Sequence, residues 1–299
     1  MMDRRSQTFQ TPNPVKLRVG IPKGRVKVFA EATAETRIEL VAVNGDEIAK
    51  TWIEEAEISQ SGDEIAVRVH QPWRGGADLS SLIEGLLSMA TMGIGGSIEA
   101  VVHVPLDSAA NLTTGSGTIE TTGRLGEVTA GSGSGAIRLD VCAEARARTG
   151  SGEISITSTP GSVDAKTGSG KVIVGKVGGN ASIATGSGSS VLAEVGGEAK
   201  VTTGSGHIEI GRAGDAFEAF TASGKIDIGR VDHGRVRAKT VSGKVTVGVA
   251  RGTAALLDVS TMSGRVRSEL EPGAAPADGE KQVELVISTL SGNVEVARA

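Results

Sequence analysis

Two carboxylates at matching positions of neighbouring repeats are the residues whose types and spacing could do acid and base chemistry. Glu209 and Asp227 each follow the Ser of a Ser-Gly dipeptide by four residues. Stacked repeats would place them about 5 Å apart, which suits hydrolysis of a glycoside. However, Lys225 and Lys244 fall beside the pair, and no His or second acidic cluster supports it. We interpret the pair as part of a solvated charged column, with a site acting on polysaccharide as the alternative.

Metal and cofactor sites find little support in the sequence. The four histidines do not share metal-ligand spacing on a strand face, and Cys142 is the single cysteine. Calcium-binding β-rolls also repeat every 18 residues or so, but their turns carry Gly-Gly-x-Gly-x-Asp. Here the turns read Gly-Ser-Gly followed by Lys, Glu, Ser or His, without the repeated carboxylates that calcium needs. We predict no calcium, no other metal and no cofactor, and expect Cys142 to be a small buried hydrophobe.

The elements that must position these residues are short strands in a repeat. Each unit has an alternating run after Ser-Gly, a Gly-rich bend and a second alternating run, which predicts two strands and two corners per unit. The first seven Ser-Gly dipeptides lie 17 or 18 residues apart, and the later gaps are 19, 21 and 28. The dipeptides begin at Ser116, Ser134, Ser151, Ser169, Ser187, Ser205, Ser223, Ser242, Ser263 and Ser291.

The same residue types recur at fixed places in every unit. The third position after the Ser is Ile or Val in all units except one, where it is Ser190. Ile208 and Ile226 are typical members, and we expect them to stack inside consecutive coils. The residue two positions before each Ser-Gly dipeptide is Thr in every unit except one, where it is Ser. This column has the same inward parity as the Ile and Val column. These hydroxyls should point inward and pass hydrogen bonds from one Thr to the next. The coil that contains Ser190 should be the weak one.

Parallel, in-register stacking explains why one residue type suits a whole column, because each residue then lies about 4.8 Å from its copy in the next coil. The sequence therefore predicts an all-β parallel solenoid of about 18 residues per coil, with a right-handed path. An antiparallel meander is the structural alternative. The coils should occupy residues 111–299, with a surface loop at 271–282.

Residues 1–110 do not keep the period, and we predict an irregular β cap continuous with the coils. Residues 78–96 inside it are apolar and follow helical spacing. This segment is interpreted as cap packing. The functional alternative is an exposed contact element, with Leu82, Ile83, Leu86 and Leu87 as the candidate interaction residues. A protein partner or self-association is favoured over a membrane, because the segment is too short to span a bilayer and lacks Lys and Arg.

Charge and composition restrict the partners and the compartment. The net charge of -4, with both signs mixed along the chain, argues against nucleic acid. A single cysteine requires no oxidising compartment. Residues 1–15 contain two arginines but no apolar run typical of a secretory signal. We therefore expect a cytoplasmic protein.

Several stretches resemble domain-of-unknown-function family 4097. The resemblance covers nearly the whole chain and rests on TFQTPNPVKLRVGIPKGRVKVFA, TTGRLGEVTAGSGSG, the serial TGSG units and VARGTAALLDVSTMSGRVRSEL. The chain is most similar to actinobacterial members without an export signal. The resemblance implies a β-strand-repeat protein described as a candidate adhesin, with no established catalytic residues.

These observations favour a non-enzymatic scaffold or protein-interaction module. A cell-surface adhesin is the first alternative, and end-to-end assembly into filaments, as in bactofilins, is the second. Labelling of intact cells would test the adhesin, and electron microscopy of the purified protein would test the filament.

Overall fold

The computed structural model describes residues 3–69, 96–270 and 281–299. The chain divides into two compact units, Met1–Gly135 and Ala136–Ala299. The candidate interaction residues Leu82, Ile83, Leu86 and Leu87 lie outside the described residues, as does most of the predicted loop 271–282. Their assignment stays a prediction.

The described residues of the first unit form eight strands and one α-helix. In chain order these are β1 (Arg4–Gln10), β2 (Lys16–Glu31), β3 (Glu35–Ala42), α1 (Glu47–Glu54), β4 (Glu57–Ser61), β5 (Glu64–Arg68), β6 (Ile98–Pro105), β7 (Ala109–Thr122) and β8 (Arg124–Ser132).

Strand β2 is the centre of this unit, because its alternating side chains are buried on one face. It pairs in parallel with β7 along one edge and with β5 and β6 along the other. Beyond these parallel strands the pairing becomes antiparallel: β3 pairs with β6, β1 with β3, and β4 with β5. The unit therefore combines parallel coils with an irregular antiparallel edge.

Helix α1 was not predicted from the sequence, although Asp46 at its start is a typical N-cap residue. The Asp46 side chain accepts hydrogen bonds from the amides of Ile48 and Ala49, at 2.8 and 3.2 Å. These bonds satisfy amides that lack a partner within the helix. Trp52 and Ile53 then fall on the buried face with Ala49, so the helix covers part of the antiparallel edge.

Sixteen strands are formed by residues 136–270 and 281–299 of the second unit. These are β9 (Ile137–Thr149), β10 (Ile154–Thr159), β11 (Val163–Thr167), β12 (Val172–Val177), β13 (Ala181–Thr185), β14 (Ser190–Val195), β15 (Ala199–Thr203), β16 (Ile208–Ala213), β17 (Ala216–Ser223), β18 (Ile226–Val231), β19 (Gly234–Ser242), β20 (Val245–Val249), β21 (Ala254–Ser263), β22 (Val266–Ser268), β23 (Gln282–Ser291) and β24 (Val294–Arg298).

These strands form two ladders, and every pairing within the unit is parallel. The first ladder runs from the start of β9 through β10, β12, β14, β16, β18 and β20. The second runs from the end of β9 through β11, β13, β15, β17 and β19. Each coil gives one strand to each ladder, and Ile208 lies opposite both Ser190 and Ile226. The predicted parallel solenoid is confirmed, and the antiparallel meander is wrong for these coils.

The core of the coils is a thin layer between the ladders. Ile208 and Ile226 are fully buried, and so is Cys142, as the residue pattern predicted. Ser190 is also fully buried, and its hydroxyl has no hydrogen-bond partner among the described residues. A buried hydroxyl without a partner is unfavourable, and here it interrupts a column that is otherwise Ile or Val, which makes this coil a weak point of the core.

The Thr column is buried as predicted, but its hydroxyls do not bond to one another. Thr167 Oγ1 donates to the carbonyl of Gly152 in the preceding coil at 3.0 Å and accepts from the amide of Gly170 in its own corner at 3.1 Å. The prediction of a Thr-to-Thr chain is therefore wrong. A nearer backbone carbonyl and amide satisfy the hydroxyl, so Thr167, Thr185 and Thr203 each tie a Gly corner to the coil before it. The hydroxyls of Thr114 and Thr289 in the same column have no partner among the described residues.

The glycine that closes each corner is required by close backbone approach. A Cβ atom on Gly188 would lie 1.8 Å from the carbonyl oxygen of Gly170. No side chain fits at that distance, since van der Waals contact needs more than 3 Å. The Thr-x-Ser-Gly pattern thus combines a hydroxyl that spans two coils with a position open only to Gly.

The last two coils are stacked in an order that differs from their order in the chain. Strands β23 and β24, which come last, pair with β19 and β20 on one side and with β21 and β22 on the other. Among the described residues of this unit, the coil formed by β21 and β22 is therefore the outermost one, and we call it the terminal coil.

Candidate functional site

The acidic pair lies on adjacent strands, as predicted. Glu209 of β16 is the register neighbour of Asp227 of β18. The Lys225 ammonium group forms an ion pair with the Asp227 carboxylate, and Lys244 pairs with Glu295. Lys225 therefore neutralises Asp227, whereas Lys244 neutralises Glu295, which is not a member of the pair. This geometry fits a charged column better than an acid and base pair with free carboxylates.

The described histidines are engaged in separate local contacts. His103 stacks on Phe29 with ring centroids 5.0 Å apart, and its Nδ1 lies 3.1 Å from Glu31. His207 Nδ1 accepts a hydrogen bond from the amide of Lys225, and His233 lies beside Asp215. His207 and His233 therefore link neighbouring coils, while the contacts of His103 stay within the first unit.

No group of three or more His, Cys, Asp or Glu residues that could hold a metal ion occurs within residues 3–69, 96–270 and 281–299. Burial raises the pKa of the Cys142 thiol, while its contact with Thr159 Oγ1 at 3.5 Å acts in the opposite direction. A raised pKa disfavours the reactive thiolate. Cys142 therefore has the environment of a structural residue.

Within the described residues, no helix is long and apolar enough to cross a membrane.

A groove on the outward face of the second ladder is the best candidate for a binding site. It has a volume of about 590 Å³ and crosses five coils, from the end of β9 to β17. At about 4.8 Å per coil, the groove extends for roughly 19 Å. Its middle is lined by Ser162, Asn180 and Ser182, which are small, polar and exposed.

Side chains of adjacent coils hold this middle section in place. The Ser162 hydroxyl accepts a hydrogen bond from the amide of Asn180 at 3.4 Å. The Asn180 side chain in turn accepts from the amide of Glu198 at 2.9 Å. Each short polar side chain therefore satisfies a corner amide in the next coil, which leaves the floor of the groove low and regular.

Charged side chains of both signs flank the groove. Four acidic and two basic residues line it. Asp164 lies 3.3 Å from both Arg148 and Lys166, and Glu218 lies 3.1 Å from Arg237 and 3.8 Å from Lys200. The basic partners and Glu218 are exposed and Asp164 is partly buried, so a partner with complementary charges can exchange with these pairs at modest cost. The sequence reading missed the groove, although its outward small polar residues in consecutive units are a visible signal.

A second charged cluster lies where the first ladder meets the corner after β18. The buried carboxylate of Asp232 accepts from Arg212 Nε at 2.7 Å and from Arg230 Nε at 2.8 Å. Burial alone would raise the pKa of Asp232, but the hydrogen bonds from Arg230 and Arg212 outweigh it and hold the pKa below its usual value. The arginines come from neighbouring coils, so the cluster stabilises the stacking and does not form an open anion site.

The chain is similar to several solved structures and to one protein family. No curated protein matches the chain. Solved structures that align with it include a candidate adhesin from Parabacteroides distasonis (11% identity, TM-score 0.39, 98% of this chain and 96% of that chain). A candidate lipid-binding protein from the same species aligns at 12% identity and a TM-score of 0.41, over 98% and 96% of the two chains. A candidate cell-adhesion protein from Clostridium sporogenes aligns at 11% identity and a TM-score of 0.23, over 99% and 100%.

Likeness at this level identifies no function. The family match is of a different kind, since the model of the Toastrack family, DUF4097, matches residues 21–297. That range contains nearly all the coils and most of the antiparallel edge described above. The chain therefore belongs to the Toastrack family, DUF4097.

Proposed function

We propose that this protein is a non-enzymatic scaffold that binds an extended segment of a partner protein in the groove of the second ladder. The observation that carries the proposal is the form of the groove: it is open, crosses five coils, and combines a low polar floor with charged walls. At about 3.4 Å per residue, its length suits five or six residues of extended chain.

The chemistry of the lining favours a protein segment of mixed charge with a slight basic excess. Four acidic and two basic residues line the groove, and none of its lining residues is aromatic. Complementary charges select a partner and its register more than they add affinity. The partner therefore recognises the groove through its side chains, while the coils keep their own backbone pairing.

The compartment is part of the same proposal. We place the protein in the cytoplasm, where a scaffold with one buried thiol needs no disulfide. A cell-surface adhesin is the competing function. Labelling of intact cells with a reagent that does not cross membranes distinguishes the two, because only the adhesin becomes labelled.

The groove is tested by placing a photo-reactive amino acid at Ser182 in the living cell and identifying the protein that becomes cross-linked. Thr157 is the matched control position, because it is exposed on the first ladder, away from the groove. The proposal expects one protein to be cross-linked from position 182 and not from position 157.

The cross-linked protein is then purified and titrated against variants. Ser182→Arg fills the middle of the groove, and we expect it to weaken binding at least about tenfold, which corresponds to about 1.4 kcal/mol. Thr157→Arg adds the same charge outside the groove and should bind as wild type does. Equal binding by both variants would show that the partner docks elsewhere.

A further inference from the structure

The terminal coil has an outer edge that no described strand covers. In β21, Ala254 donates its amide to Lys281 at the start of the neighbouring coil. Alternate residues of a strand bond to opposite sides, so the backbone groups of Ala255, Leu257 and Val259 face the outer edge. An edge of this kind is a template for pairing with another strand.

The side chains at this edge belong to the core columns but are only half buried. Leu257 and Val259 are register neighbours of Leu285 and Ile287, which are fully buried one coil further in. Elsewhere in the unit, each such column is covered by another coil whose inward side chains have the same spacing. The partner that fits this edge is therefore a second coil of the same design.

The outward side chains of the terminal coil are unusually apolar. Leu256 and Met262 are 69% and 83% exposed. Met262 continues a stripe that includes Leu290 and Val241 in the two coils next to it, which are 49% and 45% exposed. The same position is Gly in the TGSG units further in, so the stripe is confined to this end of the coils.

The pattern of β21 is symmetric about Val259. Asp258 and Ser260 flank it as polar outward residues, and the exposed apolar Leu256 and Met262 lie three positions away on either side. An antiparallel pair centred on Val259 brings Leu256 opposite Met262 of the other copy and Asp258 opposite Ser260. This register joins residues 255–263 of both copies through about ten backbone hydrogen bonds and keeps like charges apart.

We propose that two copies of this protein associate through β21, in an antiparallel pair about a two-fold axis at Val259. A strand that is self-complementary in this way suits the commonest symmetry of oligomers. The pairing closes the open edge of each copy, extends each apolar stripe by one Leu256 side chain, and is independent of the groove proposed above.

Sedimentation and light scattering of the full chain test the proposal. The wild type should have twice the 30.3 kDa mass of one chain. In the double variant Leu256→Lys/Met262→Lys, the lysine at 256 of each copy faces the lysine at 262 of the other. The two repulsive pairs and the lost apolar contacts should raise the dissociation constant roughly 100-fold or more. The variant Leu256→Lys/Met262→Glu places opposite charges there and should restore the dimer.

Ile48→Lys/Phe220→Lys is the matched control, because both residues are large, apolar and exposed and neither belongs to the terminal coil. This variant should remain dimeric. A monomeric wild type overturns the proposal. A dimeric double-lysine variant, or a monomeric Lys/Glu variant, does so as well, because either result contradicts the register.

A cysteine test does not depend on the folding of the charged variants. Oxidation of Val259→Cys should link two chains, since residues paired at a two-fold axis have Cα atoms close enough for a disulfide. Ala255→Cys should not link, because its two copies would be about 27 Å apart. The native Cys142 is buried and does not compete. Equal linking of both variants, or none for Val259→Cys, overturns the proposed pairing.

Discussion

The interior coils and the terminal coil of the second unit carry the same repeat, yet they bury it differently. Ile208 in β16 and Val266 in β22 both stand third after a Ser, and both have a parallel neighbour in register. Ile208 is fully buried because a coil lies on each side of it. Val266 is 48% exposed because only one described coil covers it.

This difference shows that the repeat determines the path of a coil, while its neighbours determine the stability that the coil contributes. In a stacked array each unit contacts only the next one, so stability is a sum over interfaces between coils. A substitution in a shared column should therefore have a large effect inside the stack and a small one at its end. The first two predictions test that contrast directly.

The largest effect is expected for Ile208→Asp. The substitution places an unpaired charge between Ser190 and Ile226 in a thin core, and should lower the free energy of unfolding by about 4 kcal/mol or more. Val266→Asp changes the same column in the terminal coil and should cost less than about 1 kcal/mol. Denaturant titrations followed by circular dichroism measure both. Similar losses in the two variants would contradict the contrast.

Thr167→Val should show a smaller loss. The valine keeps the shape of the side chain, but it leaves the carbonyl of Gly152 and the amide of Gly170 without the hydroxyl, at a cost of about 1–3 kcal/mol. Thr261→Val in the terminal coil removes a bond to the Gly292 carbonyl at a half-exposed position, where water can replace it. The same unfolding measurement should give a smaller loss there, and a larger one would refute this account of the corner.

Ser190→Val should stabilise the protein by about 1 kcal/mol. It removes a buried hydroxyl that has no partner among the described residues and restores an aliphatic contact with Val172 and Ile208. Ser155→Val, on the outward face of β10, is the control and should leave the melting temperature unchanged. A clear loss of stability in Ser190→Val would show that the coil has no room for the two methyl groups.

The smallest effect appears only in acid. Because the folded pKa of Asp232 is lowered, its contribution to stability is complete above its unfolded pKa of about 3.9 and is lost as the pH falls through the folded value. Asp232→Asn should therefore flatten the decline in melting temperature below about pH 4. Asp258→Asn, at an exposed position of the terminal coil, should leave the decline as it is in the wild type.

The sequence by itself determined the class of the fold and the columns of its core. Spacing of Ser-Gly set the length of the coil, and the alternation of Ile and Val assigned inward positions such as Ile208 and Ile226. Period-two alternation reports which face of a strand is buried, so these inferences needed no knowledge of distant contacts. The same argument placed Cys142 and Ser190 inside.

The tertiary structure decided which partners those positions meet. From the sequence alone, the Thr167 hydroxyl could bond either to another Thr hydroxyl of its column or to the backbone of a corner. Only the tertiary structure shows that it bonds to the carbonyl of Gly152 and the amide of Gly170. The order of the last coils was also out of reach, because β21 and β23 carry the same columns and either matches β19 in register. Columns of equal residues specify how coils stack but not which coil comes next, and that choice leaves β21 at the edge.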